Sequence, residues 1–149
     1  MKNRLVGVLV CMLLFIPALS MSVAADSEAK LDIQIFGGFP LPVLIRNAGG
    51  VIVNIGDATA YNISYILSII GGTSGNINIT YEGYYEYLEP LSTGGDALGV
   101  MTPNANGFGL VTITLTASAT NADNVTETAK GFQLGYFTWV PMSWFGLFS

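Results

Sequence analysis

Three stretches of this chain have the residue types and spacing that could do chemistry. Asn62-Ile63-Ser64, Asn78-Ile79-Thr80 and Asn124-Val125-Thr126 are acceptor sequons in which a sugar is joined to the asparagine amide. Tyr81-Glu82-Gly83-Tyr84-Tyr85-Glu86-Tyr87-Leu88-Glu89 packs four tyrosines and three carboxylates into nine positions. Flat, low-entropy rings such as Tyr84, Tyr85 and Tyr87 grip a sugar or a protein surface. Glu82, Glu86 and Glu89 offer oxygens to calcium, but no spaced Asp/Asn/Gly loop accompanies them. The simpler reading is a strand and corner whose tyrosines pack inward. The third stretch is the uncharged end, Tyr136 to Ser149, with six aromatics in fourteen residues. Trp139, Trp144, Phe145 and Phe148 there are candidates to meet a membrane interface or a partner protein.

Other chemistries are excluded by composition. The chain has no histidine, which removes the commonest general base and transition-metal ligand together. Its single cysteine, Cys11, lies in the apolar head, so the rest has neither a disulfide nor a thiol nucleophile. No phosphate-binding glycine loop or serine-based triad is present. The expectation is a non-enzymatic protein with no catalytic residue, cofactor or metal. Three basic residues against ten acidic ones follow residue 25, a formal charge of −7. That charge offers no electrostatic case for binding nucleic acid or an anionic lipid surface, and nucleic acid is not an expected partner.

The elements that must position these stretches read as strands. Apolar residues recur with period two, not 3.6. Leu31, Ile33 and Ile35 alternate with Asp32 and Gln34, and Val51, Val53 and Ile55 form one side of the next run. Tyr61, Ile63, Tyr65, Leu67 and Ile69 follow, then Ile77, Ile79 and Tyr81. Val111, Ile113, Leu115 and Ala117 alternate with Thr112, Thr114, Thr116 and Ser118, and Phe132, Leu134 and Tyr136 share one face. In this phase each sequon's asparagine and hydroxyl residue face solvent. Turn residues separate the runs at Gly37-Gly38, Gly71 to Gly75, Gly94-Gly95-Asp96, Pro103 to Gly107 and Asn121 to Asn124. Phe39 to Ile45, with two prolines, reads as an edge strand or a crossing between sheets. Tyr136 to Val140 would complete the last strand. About seven strands, each with one dry face, predict an all-β, antiparallel β-sandwich over residues 26–140, followed by an aromatic tail over 141–149.

Before it, Lys2 and Arg4, the apolar run Leu5 to Ile16, Pro17 and the small residues Ser20 to Ala25 have the order of an export signal. Uncut, Leu5 to Ala25 is near the length of a membrane-spanning helix and would serve as an N-terminal anchor. Either way the domain is expected outside the cytoplasm.

Val51-Ile52-Val53-Asn54-Ile55-Gly56-Asp57-Ala58-Thr59-Ala60-Tyr61-Asn62 resembles the strand–turn–strand unit of CARDB-type and related immunoglobulin-like domains. Such domains are common on archaeal and bacterial exported proteins. Leu91 to Gly95, Val111 to Ala117 and Asn124 to Glu127 are similar in outline to their later turn and final hairpin. The resemblance implies an immunoglobulin-like sandwich used for adhesion, spacing or assembly, and carries no active-site residue. In this reading Gly56 and Asp57 supply turn conformations and Tyr61 enters the core. The chain is thus expected to be an exported cell-surface module that meets a protein partner at the envelope or a membrane interface. A pilin- or archaellin-like filament subunit and a carbohydrate-binding module are the alternatives.

Overall fold

The computed structural model describes residues 27–37 and 47–141. The head to residue 26, the Phe39–Ile45 segment, and Trp144, Phe145 and Phe148 lie outside the described residues. Eight strands make two antiparallel sheets. These are β1 (Leu31–Phe36), β2 (Gly49–Asn54), β3 (Ala60–Gly71), β4 (Ile77–Leu88), β5 (Leu98–Met101), β6 (Gly107–Ala119), β7 (Ala122–Gly135) and β8 (Phe137–Trp139). The smaller sheet runs β1-β2-β5 and the larger β4-β3-β6-β7-β8. The only helical pieces among the described residues are single 3-10 turns at Thr73–Gly75 and Leu91–Thr93.

The core lies between the sheets. Leu31, Ile33, Ile52 and Val100 from the smaller sheet meet Ile63, Leu67, Ile69, Ile113 and Leu115 from the larger. The alternation read in β1, in β6 from Val111, and in β3 beyond Asn62 is the alternation that folds, because one face of each is dry.

Five expectations need correction. In β2 the packed side is Ile52 and Asn54, while Val51 and Val53 are half-buried and Ile55 is exposed. The run is apolar on both faces, so its period does not say which face the other sheet covers. Tyr61 is exposed rather than in the core. The alternation breaks beside it at Asn62, whose φ of 54° lets both Ala60 and Ile63 face inward. In β7 the face carrying Phe132, Leu134 and Tyr136 points out, and Gly131 and Gln133 point in. Finally, the last strand does not run through Tyr136: the chain turns at Gly135–Tyr136 and returns as β8. Similarly, the turn expected over Asn121–Asn124 closes at Thr120–Asn121, and Ala122 already begins β7.

Two buried amides hold the ends of this frame. Asn54 is fully buried at the end of β2. Its Oδ1 accepts from the backbone N–H of Lys30 (3.2 Å) and Gly56 (3.0 Å), and its Nδ2 donates to the carbonyls of Ala58 (2.7 Å) and Leu88 (3.0 Å). One side chain thereby ties the entering segment, the β2–β3 turn and the end of β4. Gly56 beside it does not have positive φ. It is needed because a Cβ would sit 2.2 Å from the Glu28 carbonyl oxygen. Asp57 completes the corner by accepting from the Glu28 N–H at 2.7 Å. At the other end of the molecule Gln133, also fully buried, donates to the carbonyls of Ala105 (3.0 Å) and Gly135 (2.8 Å) and accepts from Thr138 Oγ1 (2.6 Å). A buried polar group is tolerated only when its bonding sites are met, and here they are met.

Candidate functional site

The three sequons all lie on the larger sheet, and their asparagines are exposed. Their chemistry differs. Asn62 is engaged on both sides of its amide: Nδ2 donates to Thr120 Oγ1 at 3.0 Å and Oδ1 accepts from the Tyr84 hydroxyl at 2.7 Å. With its left-handed backbone it belongs to the joint between β3, β4 and the β6–β7 turn. Asn78 stands on β4 opposite Ile70, and Asn124 near the start of β7. Neither of these two amides has a side-chain hydrogen bond among the described residues. The hydroxyl of the third sequon, Thr126, meets Thr116 Oγ1 at 3.0 Å. It belongs to a hydroxyl ladder across the outer face, continued by Thr114–Thr128 (3.3 Å) and Ser64–Ser118 (2.7 Å).

The tyrosine-rich stretch forms β4, which has β3 on one side and nothing described on the other. The expectation that these rings pack inward is overturned. Tyr81, Tyr84, Tyr85 and Tyr87 are all exposed, Tyr84 most of all at 61%. Two reasons apply: Tyr84 and Tyr87 point to the outer side of the sheet, while Tyr81 and Tyr85 point to the inner side of an edge strand that the three-stranded sheet is too narrow to cover. Only Ile77 and Leu88 at its two ends are buried. Tyr84, opposite Ser64, and Tyr87, opposite Tyr61, share the outer side with the Asn62 amide. On the inner side Tyr65 lies over its cross-strand partner Gly83, where a Cβ would come within 2.1 Å of its hydroxyl. Burial, and then the neighbouring Tyr81, raise the Tyr65 phenol above its usual value. The Tyr65 and Tyr81 ring centroids are 6.3 Å apart.

Glu82, Glu86 and Glu89 are strung along this edge and its end. Among the described residues no group of three or more acidic side chains is placed to hold a metal ion. A groove of about 550 Å³ runs beside β1, lined mainly by aliphatic side chains such as Ile33, Ile35, Val51, Val53 and Val140, with Asp32 and Glu127 at its wall.

Trp139 belongs to a surface that sequence reasoning resolved only in part. Register places Leu110, Phe132 and Trp139 side by side across β6, β7 and β8, and Phe108, Leu134 and Phe137 side by side in the next row. All six face outward. Leu110 is 77% exposed, and Phe108, Leu134, Phe137 and Trp139 are exposed too, with Phe132 held edge-on by Phe108 at 5.1 Å. Thr138 and Gln133 occupy the opposite, inner face beneath them. The signal missed was in β6: Phe108 and Leu110 lie in phase with the polar Thr112 and Thr114, and so on the outside.

No helix among the described residues is long and apolar enough to cross a membrane. No family model, curated protein or solved structure matches this chain.

Proposed function

We propose that this chain is an exported, non-enzymatic module of the cell envelope that works by presenting rigid sheet surfaces to another molecule. One observation carries the reading. The buried polar side chains Asn54 and Gln133 are spent on holding strands together, whereas most of the described aromatic residues, Tyr84 and Trp139 among them, stand exposed on the larger sheet. Exposed aromatic area of this extent is what a contact surface needs and what a free domain avoids. The leader of Lys2, Arg4 and the Leu5–Ala25 run supports placement outside the cytoplasm. The immunoglobulin-like assignment belongs to the same proposal. Support comes from the CARDB-like unit, in which Asn54, Gly56 and Asp57 make one corner.

Fractionating the host cells and determining the mature N-terminus tests this reading. Recovery outside the cytoplasm, with the chain cut near Ala25 or anchored by an intact leader, is the expected result. A cytoplasmic protein with its leader intact overturns it. A mature form that starts ahead of the apolar run and assembles into filaments identifies the filament subunit instead.

A second reading rests on the exposed tyrosines of β4. Tyr84 and Tyr87 on one side of that strand, and Tyr85 on the other, offer stacking faces to a carbohydrate. It predicts saturable sugar binding that Tyr84→Ala or Tyr87→Ala abolishes.

A further inference from the structure

We infer that the six-residue apolar grid on the outer face of β6, β7 and β8 is a docking surface for a lipid bilayer, entering its interface from the side of the larger sheet. The inference deepens the contact reading above and rests on it for a membrane lying beside the domain.

The grid is two rows of three directly opposed residues, Leu110–Phe132–Trp139 and Phe108–Leu134–Phe137. Adjacent strands lie about 4.8 Å apart and alternate residues about 7 Å apart along a strand, so the six make a contiguous apolar tile. Half-exposed aromatic and leucine side chains in this number present several hundred Å², the size at which an exposed apolar patch marks an interaction site.

Charge around the tile narrows the occupant. From the row Thr80–Ser68–Thr114–Thr128 to the Gly135 turn, the larger sheet contains no carboxylate at all. Its one charge there is Lys130, exposed two residues along β7 from Phe132. The turns at this end, residues 72–76 and 102–106, are uncharged as well. Glu28, Asp57, Glu86, Glu89 and Asp123 gather at the opposite end, around the Asn54 corner and the β6–β7 turn, while Asp32 and Glu127 line the groove beside β1 that Val140 and Pro141 share. Although the chain is acidic overall, its larger sheet carries no carboxylate at this end and one lysine at the border of the tile, so the tile can meet a headgroup layer without the local repulsion that its net charge implies.

Residue type points the same way. Trp and Tyr are favoured at the margin of a bilayer interface, where their rings sit at headgroup level. Trp139 and Tyr136, both about half exposed, stand at the margin of the tile.

The test uses the protein as isolated from its host and vesicles of phosphatidylcholine with phosphatidylglycerol, read by co-sedimentation. Leu110→Ser/Leu134→Ser is expected to lower partitioning about tenfold or more, since each buried methylene contributes to interfacial affinity. Ile66→Ser, exposed on the same face opposite Thr116 but off the tile, should leave partitioning as it was. Because a variant can fail to fold, a second readout uses the Trp144→Phe protein, in which Trp139 is the sole tryptophan. Its emission should shift to the blue on vesicles and be quenched by brominated lipid. Partitioning that ignores the double substitution, or a Trp139 that brominated lipid does not reach, overturns the inference. So does concentration-dependent dimerisation with no vesicle binding, which would make a second copy the occupant. None of these failures touches the export reading, which the mature N-terminus decides.

Discussion

The Tyr84 hydroxyl donates a 2.7 Å hydrogen bond to Asn62 Oδ1, across the joint of β3 and β4. With the bond from Asn62 Nδ2 to Thr120, it makes one sequon part of the fold. The acceptor nitrogen of that sequon is turned toward its own protein rather than toward solvent.

Unequal modification follows. In a host that attaches N-linked sugars, Asn78 and Asn124 should be occupied more fully than Asn62. Peptide mass spectrometry of the native protein reads the three occupancies. Tyr84→Phe together with Thr120→Ala should raise occupancy at Asn62. Full occupancy of Asn62 in the unaltered protein would mean that sugar is added before the hairpin closes.

Asn54→Ala should cost about 3 kcal/mol of stability, because it removes four hydrogen bonds and leaves buried carbonyls and N–H groups without partners. Asn54→Asp should also destabilise, since a carboxylate cannot donate to the carbonyls of Ala58 and Leu88. Urea unfolding midpoints, compared at constant slope, measure both.

Gly83→Ala should push Tyr65 off the sheet, because the new methyl takes the place of its ring. The loss is about 1 kcal/mol of aromatic packing. Tyr65→Phe keeps the ring and should cost less. If the two variants unfold at the same denaturant concentration as the unaltered protein, the ring is not packed over Gly83.

Alkaline pH should destabilise the domain in part through Tyr65. Burial favours its neutral phenol, so its folded pKa lies above the ordinary 10.0. Between that ordinary value and the higher folded one, the native state binds more protons than the unfolded state. Stability fully present below pH 10 is therefore lost as pH rises through the window. Unfolding free energies followed upward from pH 9 should fall less steeply in Tyr65→Phe than in the parent.

Much of the fold was legible in the sequence. The dry faces of β1 and of β6 from Val111 and the two-layer arrangement follow from apolar residues recurring at every second position, and the turns at residues 71–75 and 94–95 from their glycines. The short strands β5 and β8 were not legible, since four and three residues are too few to display a period. The candidate surfaces were legible as composition only. Tyr84, Tyr85, Tyr87 and Trp139 stood out by type, but type does not state which way a ring points.

What the sequence determined by itself was period: strands with two unlike faces, a chain without histidine, and turns where glycine and asparagine gather. Tertiary structure decided phase and cover. Phe132 and Leu134 face out, and Gln133 between them faces in, because the partners of the glutamine amide come from the Ala105 loop, the Gly135 turn and Thr138 of β8. Tyr84 and Tyr87 are exposed because they lie on the outer face of β4, and Tyr81 and Tyr85, on its inner face, because three strands cannot cover five. Alternation is a local property of side-chain direction, whereas burial depends on what arrives on the other side.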